Sequence, residues 1–104
     1  MSFLSFLGFG KSKIKDALRE GAVIIDVRTG QEFDNGHIPE ALNIPVDRID
    51  INIPRIKAMK RPIIVCCNSG HRSTIAMGKL KDNGIKDVHN VGDWHQLARI
   101  LKNL

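Results

Sequence analysis

Ile63-Ile64-Val65-Cys66-Cys67-Asn68-Ser69-Gly70-His71-Arg72-Ser73-Thr74 is the stretch that decides how this chain folds. Its first four residues are apolar and mostly β-branched, the composition of a strand covered on both faces. A short turn containing Gly70 follows, and helical spacing begins at Ser73. A strand that runs through a glycine turn into a helix aims backbone N–H groups, and the positive helix end, at whatever ends the strand. Cys67 stands there. Such surroundings stabilise a thiolate, the form in which cysteine is a nucleophile. Arg72, five residues after the cysteine, adds a fixed charge with several donors.

The same alternation extends to both sides. Residues 12–20 have Ile14, Ala17 and Leu18 on one helical face, with Gly21 just past the end. Ala22 to Val27 is a continuous apolar run of strand length. Thr29 and Glu32 form a capping-box pattern that opens a short helix through about Asn35. Gly36-His37-Ile38-Pro39 is a turn, and Ala41 to Ile44 reads as a strand stopped by Pro45. Residues 46–60 are helical in two pieces: Ile49, Ile53 and Ile56 share a face, and Asn52 with Pro54 marks a helix start. Residues 73–83 make a helix burying Ile75, Ala76 and Leu80, ended by Gly84. Val88 to Val91 is a strand, and 94–103 a closing helix with Leu97, Ile100 and Leu101 inward. Strands alternating with helices require crossover connections, so the expected fold is α/β. Its three layers hold a mainly parallel sheet of four or five strands between helices on both faces. Ligands of such sheets lie beyond the carboxyl ends of the strands. Cys67 is at one such end, and Arg28 follows another.

Composition sets the boundaries of this reading. A chain of 104 residues suits one domain with one core. The net charge is +5, but its basic residues are scattered, with small groups at Lys11/Lys13/Lys15 and Lys57/Lys60/Arg61, and no aromatic residues among them. That distribution disfavours nucleic acid and fits a mild field that draws small anions. The two cysteines are neighbours, so they staple nothing and form no metal-binding spacing. A reducing, cytoplasmic setting is expected, and a monomer. Residues 1–11 read as an apolar tail ahead of a domain at 12–104. The tail is too short to span a bilayer, so no firm membrane association is expected. Phe3, Leu4, Phe6 and Leu7 offer a weak membrane or partner contact.

Side chains alternate along a strand, so Cys66 should face the core while Cys67 begins the turn. Residues 68–72 can then ring the Cys67 sulfur with amides, a nest suited to an anion. Asp26, as a carboxylate at a strand end, calls for hydrogen-bonding partners. Arg28 is a secondary candidate for binding an anionic donor. His71 sits within the loop with its side chain toward solvent, and His89 and His95 have no partners at metal-ligand spacing. Trp94 reads as a core or pocket-wall residue.

Cys67-Asn-Ser-Gly-His-Arg-Ser73 resembles the Cys-x-x-Gly-x-Arg-Ser loop of rhodanese-like sulfurtransferase domains. A second block agrees: Val23-Ile-Ile-Asp-Val-Arg28-Thr, Glu32-Phe33, Gly36-His37-Ile38-Pro39, Ala41 and Asn43-Ile44-Pro45. A third comprises Gly84, Val88, Val91-Gly92 and Trp94, where Asp93 replaces the second glycine of a Gly-Gly-x-Trp-like turn. The resemblance implies sulfane-sulfur transfer through a Cys67 persulfide, with Asn68, Ser69, Gly70, His71, Arg72 and Ser73 holding the anion. It implies structural roles for Asp26, His37 and Trp94, and no metal or organic cofactor. The implied partners are a small anionic sulfur donor such as thiosulfate, and a thiophilic acceptor such as cyanide or a protein thiol. Two other classes share such a sequence. One is a domain that binds or regulates without passing sulfur. The other is a cysteine phosphatase or arsenate reductase, whose arginine lies six residues after the cysteine instead of five.

Overall fold

The structure, a computed structural model, describes residues 2–104 and the side chains from residue 11 onward. In chain order its elements are α1 (Ser2–Arg19), β1 (Val23–Asp26), α2 (Gly30–Asp34) and β2 (Leu42–Asn43). A 3-10 turn at Val46–Arg48 leads into α3 (Ile49–Met59), β3 (Ile63–Cys67), α4 (His71–Asp82), β4 (Val88–Asp93) and α5 (Trp94–Lys102). The strands form one sheet in the order β2-β1-β3-β4, every neighbouring pair parallel.

Period-2 alternation divides the core into two layers. Val23, Ile25, Ile63, Val65 and Cys67 face α3 and α4, meeting Ile49, Ile53, Ile56, Ala76 and Leu80. Ile24, Ile64 and Cys66 face the other way, onto Ile14 and Ala17 of α1 and Leu97 and Ile100 of α5. β3 is buried at all five positions, as its unbroken apolar run requires. Each wholly buried Ile or Leu contributes roughly 1.5–3 kcal/mol relative to an exposed one. The two adjacent cysteines therefore belong to opposite halves of the core.

Local signals hold where the chemistry is local. Thr29 Oγ1 accepts the Glu32 N–H at 3.2 Å, and Glu32 Oε1 accepts the Thr29 N–H at 3.0 Å, completing the capping box of α2. At the end of α4, Gly84 N–H donates to Lys81 O and Ile85 N–H to Leu80 O, closing the helix with a Schellman pair.

Three expectations need correction. α1 begins at Ser2, not residue 12: the segment holds no proline, and Gly8 and Gly10 weaken a helix by about 1 kcal/mol each without stopping it. The expected contact through Phe3, Leu4, Phe6 and Leu7 lies outside the described side chains. α3 starts at Ile49, with Pro54 inside it, because fully buried Ile49 anchors the first turn against the sheet. Ile75 is 41% exposed: the buried stripe of α4 runs through Ser73, Ala76 and Leu80, and Ile75 lies on the opposite side.

Candidate active site

β3 delivers the thiol. Cys67 is the last residue of that strand, paired with Asp93 of β4, and not the first residue of the turn. Ladder pairing extends this far because β4 carries a bulge: Val65 is opposite Asn90, yet Cys66 is opposite Gly92. The extra residue brings the β4–α5 turn against the cysteine loop. A Cβ on Gly70 would meet Gly92 Cα at 3.7 Å, and both residues have positive φ, 96° and 77°. These two positions need glycine because the backbone there is left-handed.

Gly70 caps α4, so the amides of the first helical turn have no intrahelical acceptor and point toward the strand end. The Gly70 N–H donates to Cys67 Sγ at 3.0 Å, and Ser73 Oγ lies 3.4 Å from the same sulfur. Ser73 is fully buried. Burial pushes the Cys67 thiol pKa up. Hydrogen bonds from the Ser73 hydroxyl and from the Ser73, Gly70 and Ser69 amides outweigh it, and the net shift is downward. Cys66 meets none of these donors, and burial pushes its pKa far above the ordinary thiol range. Two adjacent thiols thus have opposite chemistry.

The loop is braced from two sides. Gly70 O accepts the Thr74 N–H at 3.0 Å and Thr74 Oγ1–H at 2.7 Å. While the Cys67 thiol is neutral it donates to Ser73 Oγ, and the single Ser73 hydroxyl proton also points to Gly70 O, at 3.2 Å; when the thiol ionises, that proton turns to Sγ. Asn90 of β4 donates to Thr74 Oγ1 and accepts the Gly92 N–H, tying the loop to the bulge. On the other flank, Arg72 makes a two-pronged ion pair with Glu32, Nη1–Oε1 2.7 Å and Nη2–Oε2 3.1 Å. Asn68 Nδ2 donates to Glu32 Oε2 at 3.0 Å. Ser69 offers its backbone N–H, and His71, the first residue of α4, has an exposed side chain.

Glu32 is a residue of the site that the sequence around it does not disclose. Its capping-box pattern discloses the bond to Thr29, but the partners Arg72 and Asn68 lie 40 and 36 positions away. The available signal was a loop arginine in need of a carboxylate.

Arg28, read as a secondary anion contact, is placed elsewhere. Its Nε and Nη2 bond both Asp26 oxygens at 2.6–3.1 Å, and Nη2 also donates to Gly36 O at 2.8 Å. Its guanidinium stacks 4.8 Å from the Trp94 ring centroid, and the residue is only 3% exposed. Asp26 is thereby satisfied, and its carbonyl accepts from Asn43 Nδ2. His37 Nδ1–H donates to Phe33 O at 2.6 Å and its ring stacks on Phe33. Trp94 forms a wall of the α1/α5 core half, beneath Gly36. Asp93 fits its turn as the N-cap of α5, accepting the His95 N–H at 2.9 Å, while Gly92 alone takes the positive φ.

Comparison with known proteins follows the same lines. The Rhodanese-like domain family matches residues 11–98. The chain is 36% identical over 84 residues to "Thiosulfate sulfurtransferase GlpE" of Pseudomonas syringae pv. syringae, covering 80% of this chain and 78% of that protein. It is 36% identical over 94 residues to "Thiosulfate sulfurtransferase 18" of Arabidopsis thaliana, covering 78% and 69%. Among solved structures it is similar to a "rhodanese with anions from E. coli", with TM-score 0.68 and 28% identity over 75% of this chain and 93% of that one. Strand order, loop and matched residues agree: the chain belongs to the rhodanese-like domain family.

Proposed function

We propose that the protein is a sulfurtransferase that carries sulfane sulfur as a persulfide on Cys67. The observation behind this reading is the convergence of the Ser69, Gly70 and Ser73 amides and the Ser73 hydroxyl on one buried sulfur at the start of α4. These donors favour the thiolate before reaction and the anionic persulfide after it. The thiolate attacks the outer sulfur of a donor such as thiosulfate. The donor S–S bond breaks, sulfite leaves with the electron pair, and a persulfide remains on Cys67. A thiophilic acceptor, cyanide or a small or protein thiol, then removes that sulfur and restores the thiolate.

In this scheme the Asn68–Ser73 backbone binds the anion, and Arg72, paired with Glu32, closes its rim. Asp26, Arg28, His37 and Trp94 support the floor on which the loop rests. Residues 12–104 are the catalytic unit, acting as a monomer. Two free buried thiols suit the cytoplasm, and no helix among the described residues is long and apolar enough to cross a membrane.

Thiocyanate formation from thiosulfate and cyanide tests the reading. Wild-type protein and Cys66→Ser should turn over, and Cys67→Ser should not. Equal turnover by Cys67→Ser would overturn it.

A further inference from the structure

Glu32 touches the cysteine loop at two points, its second and last residues. Oε1 accepts Arg72 Nη1–H, and Oε2 accepts both Arg72 Nη2–H and Asn68 Nδ2–H. From behind, the Thr29 N–H and hydroxyl each donate to Oε1 at 3.0 Å. Held by the Arg72 bond above all, and then by Thr29, the carboxyl pKa falls to about 2. Arg72 therefore does not meet an incoming donor as a bare cation. Arg28, the arginine after β1, is likewise paired, with Asp26. The charge of these two side chains is balanced, and attraction for a donor is left to the amide dipoles.

Resting on the sulfur-transfer reading, we propose that Glu32 is a specificity-determining residue that sets the donor class. By cancelling the Arg72 charge, Glu32 removes the advantage that dianionic thiosulfate would otherwise hold over sulfane donors bearing one negative charge or none, a thiosulfonate or a protonated persulfide. A dianion gains from a free guanidinium and is repelled by a carboxylate beside it. A donor of lower charge loses less in the presence of Glu32. In each case the Cys67 thiolate forms a new S–S bond to the terminal sulfur as the donor's bond to that sulfur breaks. The electron pair leaves on sulfite from thiosulfate, on a sulfinate from a thiosulfonate, or on a thiolate from a persulfide, which takes up the terminal proton. No oxidant or reductant enters.

Methanethiosulfonate and thiosulfate are near-isosteres that differ by one charge, so their kcat/KM ratio reads the effect directly. The wild-type ratio is the reference, and one charge acting across a few ångströms of partly wet protein changes it by up to about tenfold. Glu32→Gln keeps the capping box and removes the charge. It should cut the ratio by about fivefold, through a lower KM for thiosulfate with kcat nearly unchanged. Glu32→Asp, which keeps the charge, should retain the wild-type ratio. A Glu32→Gln ratio within about twofold of wild type, or equal loss of kcat for both donors, would overturn the inference and make Glu32 a brace for loop shape. Failure of both donors to leave sulfur on wild-type Cys67 is a separate result, which would overturn the sulfur-transfer reading and this inference with it.

Discussion

Removing the Ser73 hydroxyl should raise the Cys67 thiol pKa by about one unit while leaving the fold intact. Ser73 Oγ lies 3.4 Å from Sγ in a fully buried position, so no solvent replaces it. A hydrogen bond to a charged group is worth roughly 1.5–3 kcal/mol, and a pKa unit corresponds to about 1.4 kcal/mol. The length of this contact argues for the lower end of that range. Ser73→Ala also takes one donor from Gly70 O, but that carbonyl keeps the Thr74 N–H and Oγ1–H, so no buried acceptor is orphaned. The stability loss should then be about 1 kcal/mol or less. The assay is a pH titration of thiolate ultraviolet absorbance, with Cys67→Ser as the blank. Wild-type protein should titrate below the ordinary thiol value, and Ser73→Ala about one unit higher. A midpoint shift under about 0.3 unit would refute the reasoning and leave the amides alone to set the thiolate.

Other expectations follow from the same geometry. Arg72→Ala leaves Glu32 unpaired at the loop, so the KM for thiosulfate should rise several-fold more than that for an uncharged persulfide donor; steady-state kinetics with both donors checks this. The loop from Cys67 to Arg72 has six residues, one fewer than a phosphatase cradle. Three equatorial phosphoryl oxygens cannot all be satisfied there, and aryl phosphate turnover should be negligible beside sulfur transfer. The Glu32 carboxyl is depressed from 4.5 to about 2, so its ion pair contributes fully above the unfolded value and is lost as pH falls toward the folded one. Both side chains are about a third exposed, 30% and 33%, which limits the contribution to roughly 0.2–1 kcal/mol. Thermal melts of wild type and Glu32→Gln should converge across that acid window.

Much of the fold is legible because its signals are local. The β-branched run at 63–66 fixes a buried strand, and period-2 alternation sends Cys66 and Cys67 to opposite layers. The Thr29/Glu32 pattern fixes a helix start within four residues. What escapes the sequence is set by tertiary contact. Arg28 reads as a strand-end cation available to a ligand, until Asp26, Gly36 O and Trp94 are seen to enclose it. Pro54 reads as a helix start, but burial of Ile49 pulls the first turn forward to include it. Ile75 reads as core because it is apolar, but the orientation of α4 turns it outward and buries Ser73. Cys67 itself remains in the strand because the β4 bulge, invisible without the partner strand, extends the ladder to Asp93.

Intact-mass analysis after incubation with a sulfane donor tests the central claim most directly. The wild-type protein should gain about 32 Da, the mass of one persulfide sulfur, removable by cyanide. Cys66→Ser should gain it equally, and Cys67→Ser should not. The adduct on Cys66, or its persistence in Cys67→Ser, would contradict the assignment of Cys67 as the sulfur carrier.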